Sequence, residues 1–143
     1  MVSEESGPLK WEHPPMLESL FLRVDCISVP VKDLDAALAF YRDKLGHKLV
    51  WKTLDGAGLA MADGRTELVL RTDGRPPETD VYVESADSAA ECFAQAGGKV
   101  IVGPFDIRIG RCAVVEDPWG NALVLIDSSK GLLKTDSDGN VIG

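Results

Sequence analysis

The middle of this chain states one structural unit twice, and that repetition restricts its folds more than any other feature. From Val24 to Leu70 the pattern reads strand, helix, strands; from Thr79 to Ile126 it reads strand, helix, strands again. Setting Val29 and Val31 against Val81 and Val83 gives an offset of 52 residues. Gly46-His47-Lys48-Leu49-Val50 after the first helix then answers to Gly98-Lys99-Val100-Ile101-Val102 after the second. A unit of about fifty residues is too small to close a core alone and has to bury its apolar face with its copy. Two such units leave a concave space between them, and function is expected there.

Within the first unit, a strand over about Leu22–Val31 sets Cys26, Ser28 and Pro30 on one face and Ile27, Val29 and Val31 on the other. Pro30 lacks an N–H, which predicts an edge position or a bend. Asp33 is a good N-cap for a helix carrying Leu34, Ala37, Leu38, Tyr41 and Leu45, and Gly46 ends it. Strands are predicted around Lys48–Thr53, Gly58–Ala62 and Thr66–Arg71, with turns at Asp55-Gly56 and Asp63-Gly64. The second unit copies the plan: a strand Thr79–Val83, a helix of about Asp87–Ala96, and strands near Val100–Val102, Arg111–Val115 and Ala122–Asp127. Ala89, Ala90, Phe93 and Ala96 are the expected inward face of that helix, and Asp117-Pro118-Trp119-Gly120-Asn121 reverses the last two strands.

The fold class that follows is α+β: two paired βαβββ modules forming a partly open, eight-stranded cup. A helix covers one face of each sheet, so the other face lines a cavity or meets a second sheet. The expected divisions are an N-terminal arm over residues 1–21, a domain over 22–127 with modules of about 22–72 and 78–127, and a polar tail over 128–143. The tail holds Asp136-Ser137-Asp138-Gly139-Asn140, the composition of a small turn.

Charge excludes some partners. The net charge of −8, from 15 Lys+Arg and 23 Asp+Glu, argues against nucleic acid and against anionic membranes, both of which need clustered cations. No apolar run reaches membrane-spanning length and no targeting segment is recognisable, so a cytoplasmic location is expected. The three cysteines, Cys26, Cys92 and Cys112, are odd in number and without CxxC spacing, which predicts free thiols.

Two stretches carry a resemblance. Val29 to Gly46, VPVKDLDAALAFYRDKLG, and Gly103 to Val124, GPFDIRIGRCAVVEDPWGNALV, resemble the vicinal oxygen chelate superfamily of glyoxalases, bleomycin-resistance proteins and extradiol dioxygenases. The resemblance covers roughly residues 22–127 and implies that superfamily's fold. In metal-dependent members it also implies a divalent ion held by a His on the first strand and a Glu on the last strand of each unit. Carried onto this sequence, those positions are Cys26, Glu67, Glu78 and Val124. Only Glu67 keeps the residue type, and valine cannot ligate. No metal cofactor is therefore expected; a divalent ion on Cys26, Glu67 and Glu78 is the alternative, with Asp80 on the face of Glu78. Superfamily members of this size also imply a homodimer.

By strand alternation Ser28, Glu67, Val69, Arg71, Glu78, Asp80, Tyr82, Arg111, Val115, Val124 and Ile126 are expected to face the cup, with Trp51 and Trp119 at its rim. Arg71 and Arg111 suit a carboxylate or phosphate, and Arg108 in the loop before Arg111 suits a mobile cover. Cys112 is expected on the helix side, in the core. His47, just past a helix end, is read as a capping or solvent-facing residue, and His13 lies in the arm. Two functions follow. The first is a metal-independent small-molecule binding protein that sequesters its ligand, like the bleomycin-resistance branch, with Glu67, Glu78 and Asp80 favouring a basic ligand and Tyr82 stacking on a planar one. The second is a lyase, isomerase or dioxygenase-like enzyme, with either a degenerate metal site or Glu67 or Glu78 as general base.

Overall fold

A computed structural model describes residues 19–142; the arm and His13 lie largely outside the described residues. The elements run β1 (Arg23–Pro30), α1 (Leu34–Leu38), β2 (Leu49–Lys52), β3 (Gly56–Ala60), β4 (Glu67–Arg71), β5 (Glu78–Tyr82), α2 (Ala86–Gln95), β6 (Lys99–Asp106), β7 (Arg111–Glu116) and β8 (Ala122–Ile126). They form one open sheet of eight strands in the order β2-β3-β4-β1-β5-β8-β7-β6. The two modules meet at its centre, where β1 pairs antiparallel with β5. Each first strand pairs parallel with the last strand of its own module, β1 with β4 and β5 with β8.

The duplicated sequence is a duplicated structure. Asp33 caps α1 by accepting from the Ala36 N–H at 3.1 Å, and Ser85, 52 positions later, caps α2 through Ser88. Val31 N–H donates to the Arg71 carbonyl at 2.8 Å; Val83 N–H, again 52 positions on, donates to the Ile126 carbonyl at 2.9 Å. Each helix covers its own module. Leu34, Ala37 and Leu38 bury against Ala57, Leu59 and Leu70, while Ala86 and Ala89 bury against Val81, Val83, Val115 and Leu125. Leu59, Leu70 and Leu125 are fully buried, a gain of roughly 1.5–3 kcal/mol for each side chain.

Three expectations need correction. Pro30 is not on an edge, because β1 is paired on both sides; it is tolerated as the strand's last residue, where the following Val31 supplies the N–H to Arg71. The first helix is α-helical only to Leu38 and continues as a π-helical turn over Ala39–Lys44. In the second helix Ala96 is exposed at the C-cap rather than inward. No helix among the described residues is long and apolar enough to cross a membrane.

The tail is built into the fold. Asp127, only 2% exposed, accepts from the backbone N–H groups of Ala86 at 2.7 Å, Arg111 at 2.8 Å and Ser129 at 3.1 Å. The Ser129 hydroxyl adds a fourth bond. Burial opposes its charge, but these donors together hold its pKa below the ordinary value. Gly110 is required beneath it, since any Cβ there would strike the Asp127 carboxylate and backbone. Further on, Asp136 accepts from the N–H groups of Asp138 and Asn140 and from the Asn140 side chain. Asp117 makes the same bonds with Trp119 and Asn121, so the tail holds a second copy of that turn. This hairpin docks on the β2 edge through Lys52 N–H to Gly139 at 2.8 Å and Val141 N–H to Lys52 at 2.9 Å.

Replacing Asp127 by Ala strips buried donors at the start of α2, the start of β7 and the root of the tail. The expected cost is about 2–4 kcal/mol in urea unfolding; a loss under about 1 kcal/mol would mean the junction is not what joins these three segments.

Candidate functional site

The concave face of the sheet forms a cleft of about 900 Å³. Its floor comes from alternate residues of the central strands. Strand register puts Cys26 opposite both Glu67 and Asp80, and Asp80 opposite Val124. Ser28 lies opposite Val69 and Glu78, and Tyr82 opposite Ile126. These side chains share one face because residues paired across strands point the same way. Trp51, on β2, reaches over the first-module wall, and its Nε1–H donates to Glu67 Oε1 at 2.9 Å. Gly58 makes that reach possible: a Cβ at Gly58 would occupy the place of the indole.

The floor is polar at its centre and half-apolar around it. Cys26 Sγ–H donates to Asp80 Oδ2 at 3.3 Å. Arg71, 9% exposed, lies 3.6 Å from Glu78 Oε1 and donates to the Pro76 carbonyl at 3.3 Å, while Arg75 approaches the same Glu78 oxygen at 3.7 Å. The guanidinium of Arg23 sits 4.8 Å above the Tyr82 ring. Tyr82 and Ser128 share a hydroxyl–hydroxyl bond of 2.7 Å. Val69, Val124, Ile126 and Cys112 supply the apolar surface. The tail crosses the mouth on its way from β8 to the β2 edge, and Leu132, Leu133 and Thr135 line the cleft from above.

Burial sets the ionisation of this floor. Asp80 is pushed up to about 8, first by burial and then by the neighbouring Glu78 carboxylate. At neutral pH it holds a proton. Burial likewise raises Glu67, against the pull of the Trp51 hydrogen bond, and raises Asp25 against Arg23. The Cys26 thiol is pushed far up by burial and by Asp80, and Cys112 to about 12 by burial and the same acids. Neither thiol is a nucleophile at neutral pH.

A profile of the Glyoxalase/Bleomycin resistance protein/Dioxygenase superfamily matches residues 23–125. The chain belongs to that superfamily. An uncharacterized protein of Mycolicibacterium smegmatis is 34% identical over 113 residues, spanning 75% of this chain and 95% of that one. A Mycobacterium bovis protein described as "Putative glyoxylase CFP32" is 35% identical over 102 residues, 60% of this chain but 36% of its own length. Among solved structures, methylmalonyl-CoA epimerase from Mycobacterium tuberculosis superposes with a TM-score of 0.67 at 20% identity, covering 78% of this chain and 91% of that one. At that identity the likeness concerns the fold.

Within the superfamily's frame, the metal positions do not suit a metal. Cys26, Glu67 and Val124 meet at one level of the sheet, where the residue facing Cys26 is Asp80; Glu78 lies one pleat away beside Ser28. The set at that level is a protonated thiol, a carboxylate tied to Trp51, a carboxyl that keeps its proton, and a valine, with no imidazole. Among the described residues no three His, Cys, Asp or Glu side chains are grouped to hold an ion. The donors are committed to one another rather than to a cation.

The other expected site residues divide. Ser28, Trp51, Glu67, Arg71, Glu78, Asp80, Tyr82 and Val124 all line the cleft, as does Arg108. Arg111, Val115 and Trp119 do not. Strand β7 has the opposite alternation to the expected one: Cys112 and Val114 pair with Ile126 and Val124 on the cup side, so Val115 is core under α2 and Cys112 is cup wall. Arg111 points outward to Asp87 at 3.1 Å and Asp106 at 3.2 Å. Trp119 is 82% exposed at the turn. His47 contacts the Ala60 carbonyl at 3.1 Å and lies outside the cleft. Sequence reasoning missed Arg23, Asp25, Arg65, Arg75, Phe105 and the tail leucines. Arg23 and Asp25 share the alternation of Cys26 only through a β-bulge, where the register shifts between Val24 and Cys26.

The buried acid predicts a pH signature. Unfolded, Asp80 gives up its proton near 4; folded, near 8. The native state binds the extra proton between those values, so Asp80's contribution is whole at low pH and is lost as pH rises to about 8. Asp80→Asn is neutral throughout and still accepts from Cys26. Its stability relative to wild type is expected to climb from pH 5 to 8 and level off above, in urea melts across that range. A pH-independent difference would refute the protonated Asp80.

Proposed function

We propose that this protein binds a small molecule in the strapped cup without a metal, and that capture of the ligand is itself the function. The observation that carries this reading is the floor: at the level where metal-dependent relatives bind their ion, Cys26, Asp80 and Glu67 hydrogen-bond to protein partners and Val124 offers only carbon. Around that centre are apolar walls, an aromatic pair in Trp51 and Tyr82, and a few placed polar groups, the composition of small-molecule sites. Two copies acting together in the cytoplasm belong to the same reading. The bare edge of β6, where Ile101 and Val102 are about half exposed, supports association of two chains.

A second reading rests on the carboxyl pair. Asp80 with a pKa of about 8, beside Glu78, is poised to exchange protons near neutral pH. Proton transfer next to a carbonyl is the chemistry it suits, and the base would be Asp80 rather than Glu67, whose oxygen is held by Trp51.

Elemental mass spectrometry separates metal-dependent from metal-free readings. Protein purified without chelators and incubated with Ni, Zn, Mn or Fe(II) is expected to retain well under one equivalent after desalting; a stoichiometric ion would overturn the proposal. Incubating carbonyl compounds that bind the cup in deuterated water tests the second reading. Capture alone predicts no deuterium at the α-carbon, whereas a base predicts incorporation that Asp80→Asn abolishes and Glu67→Gln retains.

A further inference from the structure

The arginines of this chain are concentrated in one place. Five of its seven, Arg23, Arg65, Arg71, Arg75 and Arg108, line the cup, while none of its eight lysines does so among the described residues. The chain as a whole carries a net charge of −8. Among the side chains that line the cup the balance reverses, five guanidinium groups to Asp25, Glu67, Glu78 and Asp80, while Asp73 just outside the lining pairs with Arg75 at 3.0 Å and lies 3.8 Å from Arg71. Walls of low dielectric focus such a field on the enclosed space. The choice of arginine over lysine is itself chemical: a planar fork of N–H donors matches the paired oxygens of a carboxylate or phosphate, which a point charge does not.

Three of the five already have work. Arg71 and Arg75 face Glu78 and Asp73, and Arg23 lies over Tyr82 beside Asp25. Arg65 and Arg108 have no side-chain hydrogen bond or ion pair among the described residues. Arg65 precedes β4 in the first module and Arg108 precedes β7 in the second. Both strands run in the direction of β1, so the two arginines stand at the same end of the cup on opposite walls.

The floor makes the same demand independently. Ser28 Oγ, on a residue 2% exposed, and Arg71 Nε, on one 9% exposed, have no hydrogen-bond partner, the nearest carboxylate to Arg71 Nε being Asp73 at 3.8 Å, and both residues line the cleft. An Arg Nε–H can only donate, and a buried donor without an acceptor costs free energy. Asp80 Oδ1 is also without a partner.

We infer that the ligand of the cup is an elongated organic anion, with a carboxylate or phosphate held between Arg65 and Arg108 and an apolar body bearing an acceptor oxygen over Ser28 and Arg71. This rests on the reading of the cup as a small-molecule site and reverses the basic ligand that Glu67, Glu78 and Asp80 alone suggest. The acids are answered from within: Glu78 by two arginines, Asp80 by the Cys26 thiol, Glu67 by Trp51. The two guanidinium groups left over belong to exposed residues of the cleft lining.

A matched set of naphthalenes tests the inference by calorimetry, with amide NMR shifts locating each compound: 2-naphthoate, 2-naphthyl phosphate, 2-naphthylmethylamine and 2-naphthylmethanol. At least one anion is expected to bind roughly tenfold or more tighter than the amine and the alcohol. The preference between carboxylate and phosphate identifies the oxyanion. Arg65 and Arg108 are exposed, so Arg65→Gln/Arg108→Gln should melt like wild type. It should lose that tenfold preference while binding the alcohol unchanged, and added salt should weaken only the anions. Equal or tighter binding of the amine or alcohol overturns the inference and leaves small-molecule binding standing, as does anion binding indifferent to the double substitution. If no compound shifts any cup resonance, both the inference and the binding reading fall.

Discussion

The antiparallel pairing of β1 with β5 is the contact from which the rest of this structure follows. Neither module buries both faces of its own sheet, and the pairing joins them edge to edge into one eight-stranded surface. It also brings two first strands, distant in sequence, into a register that places Cys26 against Asp80 and Ser28 against Glu78. Carboxyls thus come together on a half-apolar floor, where ionising both is expensive. The protein meets that cost locally with a retained proton, a thiol donor and the guanidinium groups of Arg71 and Arg75. Register, not composition, makes the chemistry of the site.

A second constraint turns a shallow cup into a defined cleft. The sheet by itself is open, and nothing in a βαβββ repeat closes its mouth. Asp127 ends β8 by gathering N–H groups from α2, β7 and the tail, which sets the direction in which the chain leaves the sheet. From there the tail passes over the cup and is fastened at the far edge by a hairpin on Lys52. That hairpin uses the Asp-x-x-Gly-Asn turn already present between β7 and β8, a local device whose side chain satisfies its own backbone. With both ends fixed, Leu132 and Leu133 stand at the border of the cleft, Leu133 half-buried and Leu132 still 87% exposed.

How much of this could be read from the residues follows from which signals are local. The repeat, the Asp33 N-cap and the Asp117 turn depend on neighbours within a few positions, and they stand where the sequence places them. Central strands with one polar face were also legible, which is why Ser28, Glu67, Arg71, Glu78, Asp80 and Tyr82 gather in the cleft. Strand β7 was not. Arg111-Cys112-Ala113-Val114-Val115 is apolar on both alternations apart from Arg111, and a long arginine is accommodated on the helix side by Asp87 of α2 and by Asp106 while its strand neighbour faces the cup. Pro30 misled for a similar reason: the rule against proline in paired strands concerns the missing N–H, and at a strand's last residue none is required. The strap lies in the tail and Arg65, Arg75 and Arg108 lie in loops, where no periodicity reports what a side chain faces.

The arginines also explain how an acidic protein can hold an acidic floor. Asp80 and Glu78 lie in adjoining pleats, and without positive charge nearby the second ionisation of the pair would work against folding. Arg71 and Arg75 offset the charge beside Asp80, burial and the neighbouring Glu78 favour a proton on Asp80, and the Cys26 thiol donates to its Oδ2. A divalent ion at the same level would have to displace the proton, the thiol bond and the Trp51 bond together, with a valine in place of the fourth ligand. The superfamily's architecture is kept here while, at the level of its metal positions, Cys26, Asp80 and Glu67 are hydrogen-bonded to protein partners, and the polar atoms left unpaired beside them belong to residues that line the cleft.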